Sequence, residues 1–345
     1  MSAEVDLAAL DAWMSSQGLG EGPIGDVRRL AGGTQNVMLR LERDARTYVL
    51  RRPPLHPRPW SERAMRQEMR VLEALARTDV AHPRLVAGCD DPDVIGAVFY
   101  LMDEVAGFNP GEGLPAMHAG DPQVRREMGF AVVDALAQLG AVDHDAIGLG
   151  DLGRAGFVQR QVDRWLEQLG SYERHDGYEG PDLPGLDDLA EWLRAHQPAG
   201  NQPGLMHGDF QLTNVMIAPY GPQVAAIVDW EMCTVGEPLL DLGWLAATWP
   251  VGDSPIPALQ GLADAGGLPS VPEVLARYAQ ASDRDLSDID WYVVLACFKL
   301  AIVVEGTYAR SRAGKVDEQL GLEMRSLAHA LFDRAQGLLA GTWPT

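Results

Sequence analysis

The chain has 345 residues, 46% of them hydrophobic and 22% charged, which is enough apolar material for a sizeable core and about two domains. Lys and Arg number 28 against 49 Asp and Glu, and the resulting formal charge of −21 argues against nucleic acid or an anionic membrane as partner. Three cysteines, Cys89, Cys233 and Cys297, are too few for a disulfide framework and lack the spacing of zinc ligands.

The first residues, MSAEVDLAALDAW, are acidic and amphipathic rather than a basic leader with an apolar core. Leu7, Leu10, Trp13 and Met14 fall at helical spacing, which predicts a helix over Val5 to Gln17. The texture then becomes strand-like over Ile24 to Leu30, Asn36 to Leu41 and Thr47 to Arg51, with turns at Gly32 and Gly33 and at Glu42 to Ala45. LAGGTQN is a short glycine-bearing turn; it is either a plain hairpin turn or a place where Gly33 and Thr34 let the backbone approach a phosphate. RTYVLRRPP ends a strand in Arg51 and Arg52, which are either solvated strand-end charges or ligands for phosphate and carboxylate. A helix is predicted over Trp60 to Ala76, with Ser61 as N-cap and a stripe of Met65, Met69, Leu72 and Leu75. Glu68 lies beside that stripe; it either reaches water from the edge or takes a partner, for which Arg51 is the candidate. Another strand, Ala97 to Met102, runs into Asp103 to Gly107, by composition only a loop.

Residues 108–122 are rich in Gly and Pro and read as a mobile loop. Helices follow over Pro122 to Leu139, Phe157 to Leu169 and Leu186 to His196, and later over Val271 to Ala281, Ile289 to Val304 and Leu320 to Leu339. The longest apolar stretch, Trp291 to Val304, is interrupted by Lys299 and is shorter than the roughly 20 residues that cross a bilayer, so a soluble, cytoplasmic protein without a membrane partner is expected. EGTYARSRAG, with Glu305, Tyr308, Arg310 and Arg312, is either surface or, as the family resemblance given below implies, one wall of the acceptor site.

Between these helices lies the stretch with most chemistry, LMHGDFQLTN at Leu205 to Asn214, followed by VAAIVDW at Val224 to Trp230. Val215 to Ile217 and the second run read as a hairpin that returns Asp229 beside Asp209 and Asn214. Phosphoryl transfer needs an oriented hydroxyl and charge held against the phosphates. Asp209 suits the first task, and the oxygens of Asn214 and Asp229 suit Mg²⁺. A metal-dependent phosphoesterase also uses such ligands, but no second His-bearing motif at ligand spacing accompanies them.

The ordered set HGD, Asn214, IVDW and then Gly236, Glu237, Pro238, Asp241, Leu242 and Gly243 resembles the aminoglycoside phosphotransferase and choline kinase group of small-molecule kinases, over roughly Ile24 to Leu339. The resemblance implies an α+β, protein-kinase-like two-lobed fold with a small β-rich N-lobe and a larger, mainly helical C-lobe. It divides the chain into a nucleotide-binding lobe over 1–102, a hinge over 103–107 and a helical lobe with the catalytic loop and acceptor site over 108–345. It implies ATP and Mg as cofactors, with Asp209 catalytic and Asn214 and Asp229 on the metal. Arg51 with Glu68, Gly33 and Thr34 would meet the phosphates, and Met102, Glu104 and Val105 the adenine. Arg51 stands where the wider family has lysine, as in the branch that resembles the kinase domain associated with acyl-CoA dehydrogenases. His207 is expected to pack and brace, and Asp241 to hold the catalytic loop through backbone N–H groups. The expected activity is transfer of the γ-phosphoryl group to a hydroxyl of a small-molecule acceptor; the alternative is a nucleotide-binding pseudokinase without turnover.

Overall fold

The structure, a computed structural model, describes residues 5–30, 36–153, 156–200, 202–252 and 254–342. Asp6 starts helix α1 (Leu7–Ser16) by accepting the N–H groups of Ala8 and Ala9 at 3.0 and 3.1 Å, donors that a helix start otherwise leaves unpaired. Strands β1 (Gly25–Arg29), β2 (Val37–Arg43) and β3 (Arg46–Arg52), helix α2 (Ser61–Leu75), and strands β4 (Leu85–Cys89) and β5 (Phe99–Asp103) follow. The strands form one antiparallel sheet in the order β1-β2-β3-β5-β4. The β2–β3 turn is shorter than the expected Glu42 to Ala45. Glu42 and Arg43 stay in the ladder, and only Asp44 and Ala45 turn, both at positive φ (49° and 59°), as strand twist favours in a two-residue hairpin.

Strand alternation sorts the sheet's two faces. Leu39, Leu41, Leu50, Phe99 and Leu101 pack with Leu10 and Met14 of α1, whereas Val49, Tyr100 and Met102 join α2 and the main core. Arg51 pairs with Tyr100 across the ladder and shares that second face. On α2, Met65, Met69 and Leu72 are buried and Glu68 is buried with them. Ser61 is not the N-cap. Trp60 holds that place, already helical, and the Ser61 hydroxyl instead accepts the Arg58 N–H at 3.0 Å.

After Asp103 the chain is mainly helical. The expected mobile loop over 108–122 contains α3 (Ala116–Gly120) and is fastened: Asn109 donates to the Thr213 carbonyl at 2.6 Å and His118 to that of Gly221 at 2.8 Å. Next come α4 (Pro122–Gly140), α5 (Gln161–Gly170), which starts later than the expected Phe157, and α6 (Leu186–Ala195). Short strands β6 (Gly204–Met206), β7 (Val215–Ile217), β8 (Val224–Ile227) and β9 (Thr234–Gly236) pair as β6 with β9 and β7 with β8. Helices α7 (Leu239–Ala247), α8 (Gln260–Ala265), α9 (Val271–Ala281), α10 (Ile289–Arg312) and α11 (Glu318–Leu339) complete the chain. Helix α10 runs well past Val304, so EGTYARSRAG forms its last turns, and buried Glu305 accepts the Tyr178 hydroxyl at 2.9 Å. At Gly243 a Cβ would come within 2.6 Å of the Tyr292 backbone, so α7 lies directly on α10 there. Among the described residues no helix is long and apolar enough to cross a membrane.

Candidate active site

Pairing β6 with β9 and β7 with β8 lays two loops side by side, residues 207–214 and 228–233. They are stitched together: the Val228 N–H donates to the Asn214 carbonyl and the His207 ring to the Val228 carbonyl, each at 2.9 Å. His207 is fully buried, with its ring edge-on to Trp230, and so has a bracing position. Gly208 sits at φ +86°, and a Cβ there would lie 2.5 Å from the Met232 carbonyl oxygen; only glycine fits between the loops. From α7, buried Asp241 accepts the His207 N–H at 2.6 Å and the Gly208 N–H at 2.9 Å. Burial raises the Asp241 pKa, while His207 and the two N–H donors act to lower it.

Asp209, Asn214 and Asp229 meet around this seam. Asn214 Nδ2 donates to the Asp209 backbone carbonyl at 2.8 Å and to its Oδ2 at 3.0 Å, and Gln211 Nε2 lies 3.2 Å from Oδ1. The carboxylate is thus fixed, and among the described residues the Asn214 amide oxygen takes no hydrogen bond and remains an acceptor. Asp229 has φ 67° and ψ 62°, a left-handed backbone unusual for a residue with a Cβ, with its side chain 39% exposed. Among the described residues no three His, Cys, Asp or Glu side chains form a metal cage. The donor set still suits Mg²⁺, a hard ion that takes one or two carboxylates and completes its shell with water and substrate phosphates.

Arg51 and Glu68 are brought together as their strand and helix faces imply. Arg51 Nε lies 3.1 Å from Glu68 Oε2, and Nη2 bonds Asp229 Oδ1. Glu68 Oε1 also accepts the Trp230 N–H at 3.1 Å, so α2 is tied to the turn that follows Asp229. Burial acts to lower the Arg51 pKa, but Glu68, Tyr100 and Asp229 outweigh it and the net shift is upward. Glu68 is pushed up to about 7, by burial first, with Arg51 opposing. The guanidinium is thus favoured in its charged form, while burial works against the charge on Glu68.

Other residues singled out in the sequence are more scattered. Met102 is buried on the face of the sheet that carries Arg51, and Glu104 and Val105 follow at the strand end, where the Glu104 carboxylate accepts Arg40 Nε at 2.8 Å. Gly33 and Thr34 lie outside the described residues. Glu305, Tyr308, Arg310 and Arg312 do not line the cavity beneath the loop over residues 207–214; the α10 residues that do are Tyr292, Leu295, Ala296 and Lys299.

That cavity, of about 260 Å³, is bounded also by α5 and α7. A second, of about 460 Å³, opens on the other side, between α2 and His56, Arg58 and Trp60. Glu231 and Met232 wall both. Lys299 is the functional candidate that sequence reading passed over. Its Nζ lies 4.0 Å from the Trp244 ring centre and 3.4 Å from the Gly208 carbonyl oxygen, directly under the loop over residues 207–214. The available signal was a lone ammonium inside an otherwise apolar helix.

The profile of the phosphotransferase enzyme family matches residues 26–281. Acyl-CoA dehydrogenase family member 10 of Mus musculus is 29% identical over 300 residues, which take in 84% of this chain and 27% of that protein. The chain spans well under half the length of the curated relatives it matches, between 27 and 41%. Among solved structures, a candidate aminoglycoside phosphotransferase from Ralstonia eutropha JMP134 is 31% identical, with 96% of this chain and 98% of that one covered and a TM-score of 0.79. The GDP complex of aminoglycoside 2′-phosphotransferase-IIIa is 16% identical with a TM-score of 0.63, covering 95% and 99% of the two chains, a likeness of fold: a small antiparallel sheet lobe and a larger helical lobe.

Proposed function

This chain belongs to the phosphotransferase enzyme family, and on that premise we propose that it moves the γ-phosphoryl group of ATP to a hydroxyl of a small molecule. The observation that supports this most is the clamp on Asp209, whose carboxylate is held by Asn214 and Gln211 on a loop that Asp241 anchors from below. A carboxylate fixed in this way can orient an acceptor hydroxyl and take its proton as the O–P bond forms. Asn214 and Asp229 would hold Mg²⁺, which when bound offsets phosphate charge. Arg51, kept in place by Glu68, presents its guanidinium to the phosphates. Residues 1–102 form the nucleotide lobe in this reading, with Gly33 and Thr34 over the phosphates. Residues 103–107 form the hinge, with Met102, Glu104 and Val105 at the adenine, and 108–345 carry the acceptor site. The names of the curated relatives favour a hydroxylated acyl compound as acceptor; the names of the solved neighbours favour an aminoglycoside.

A second reading, nucleotide binding without turnover, draws on one observation: Arg51 bonds the carboxylate proposed as a metal ligand. The deciding experiment measures ADP release with Mg²⁺ and ATP against aminoglycosides, choline-like alcohols, sugars and hydroxyacyl compounds, in wild type and Asp209→Asn. Acceptor-stimulated release that falls about 10²–10⁴-fold in the variant, with nucleotide binding retained, is expected. Undiminished transfer by Asp209→Asn removes Asp209 from its role, and saturable ATP binding that no acceptor stimulates supports the second reading.

A further inference from the structure

We propose that the cavity beneath the catalytic loop selects acceptors carrying an oxyanion close to the reacting hydroxyl, with Lys299 and Arg164 as its readers; the inference rests on the phosphotransferase reading. Lys299 is largely buried, on a helix otherwise apolar at this level, and burying an ammonium is costly unless an anion answers it. Among the described residues Lys299 has no carboxylate in ion-pair contact, only the Trp244 and Trp165 rings and a long bond to the Gly208 carbonyl. Arg164, exposed on the same wall, has no ion pair among the described residues either and lies over Trp165.

Neither carboxylate on the cavity wall is in ion-pair contact with these cations: burial works most strongly against the charged form of Lys299, Asp209 from the loop above and Asp241 favour it only from a distance, and Asp241 and Glu231 are engaged elsewhere. Asp241 accepts two backbone N–H groups, and Glu231 accepts Asn36 Nδ2 at 3.1 Å and lies 3.7 Å from Arg51. Two cations therefore face a small cavity whose other walls include Phe157, Trp165 and Trp244. Such a lining suits a short hydrocarbon bearing a carboxylate or phosphate, held by charge-assisted bonds while its hydroxyl lies toward Asp209. It disfavours a polyamine, whose ammonium groups would meet Lys299 and Arg164 at close range. Lys299 and Arg164 are thus specificity residues, not proton carriers.

The test uses a homologous series of hydroxycarboxylates, the matching uncharged amides, hydroxylated phosphate monoesters and an aminoglycoside. Binding is followed through tryptophan fluorescence, since Trp165 and Trp244 flank Lys299, and ADP release is followed in parallel; Lys299→Met and Arg164→Gln are compared with wild type, with thermal midpoints as a folding control. Saturable anion binding at least about tenfold tighter than that of the amides is expected. Each variant should weaken it by a similar factor, raising KM for anionic acceptors more than for neutral ones, with Mg·ATP affinity retained. A stronger response to phosphate monoesters than to carboxylates keeps the proposal and names the anion. Amides that bind as well as acids, an aminoglycoside that binds best, losses equal for every acceptor, or no saturable anion binding by protein that still binds Mg·ATP each overturn it. Failure to bind ATP at all counts against the phosphotransferase reading instead, and the fluorescence titration still decides whether the cavity takes anions.

Discussion

Arg51 joins three carboxylate-bearing residues from different parts of the chain: Glu68 on α2, Asp229 after β8 and, more loosely, Glu231. A compact ammonium could not reach two of them through separate nitrogens as this planar fork does, so the exchange of lysine for arginine carries a geometric consequence. Removing Glu68 tests it. Glu68→Gln takes the counter-ion from a buried guanidinium and weakens the acceptor for the Trp230 N–H. Asp229 still answers Arg51 in the variant, and a carboxyl pushed up to about 7 is only partly ionised at neutral pH, so chemical denaturation there should read a loss of about 1–3 kcal/mol, that of a weakened buried hydrogen-bond partner. A loss well under ~1 kcal/mol would show that Asp229 alone neutralises Arg51. This pair was legible in the sequence, because strand parity and a carboxylate beside a buried helical stripe both point inward. Lys299 was not: the rings that receive it come from α5 and α7, and spacing along α10 says nothing about which helix lies opposite.

At the scale of elements, the loop over residues 207–214 depends on a helix crossing. Asp241, which holds the loop, is two residues before Gly243, where α7 touches the backbone of α10. Gly243→Ala must push the helices apart, because a methyl group at 2.6 Å from backbone atoms has no side chain to displace. A destabilisation of about 1–3 kcal/mol is expected, with kcat lowered more than nucleotide affinity since Asp241 moves with α7. Thermal unfolding and a comparison of kcat with ATP binding check this, and an unchanged kcat would separate the crossing from the loop. Element ends were less legible than elements. Ser61 looks like an N-cap, yet its hydroxyl accepts a bond from Arg58, and LAGGTQN has two readings that sequence alone leaves open.

Across the whole molecule the two-lobed architecture was the most legible feature, since alternating runs and long helical stripes occupy separate halves of the chain. The formal charge was the least informative about the site: a molecule of −21 holds a cavity lined by two cations that, among the described residues, form no ion pair. Distant carboxylates repel an incoming anion over about 30 Å at 0.01 M salt but only about 8 Å at 0.15 M, while close contacts in a partly buried cavity are screened far less. Association of Mg·ATP, measured by stopped flow, should therefore speed up between those salt concentrations. A slowing would mean that local cations, not the acidic surface, govern approach.

Glu231 and Met232 stand between the cavity beneath the catalytic loop and the one beside α2, and they directly follow the turn of Asp229 and Trp230 that Arg51 and Glu68 grip. The same two residues face both cavities. An occupant that shifts them to enter one chamber resizes the other, so two guests would hear of each other through a single panel. Whatever advantage the first arrival gives the second, the second must return in the same measure when the order is reversed.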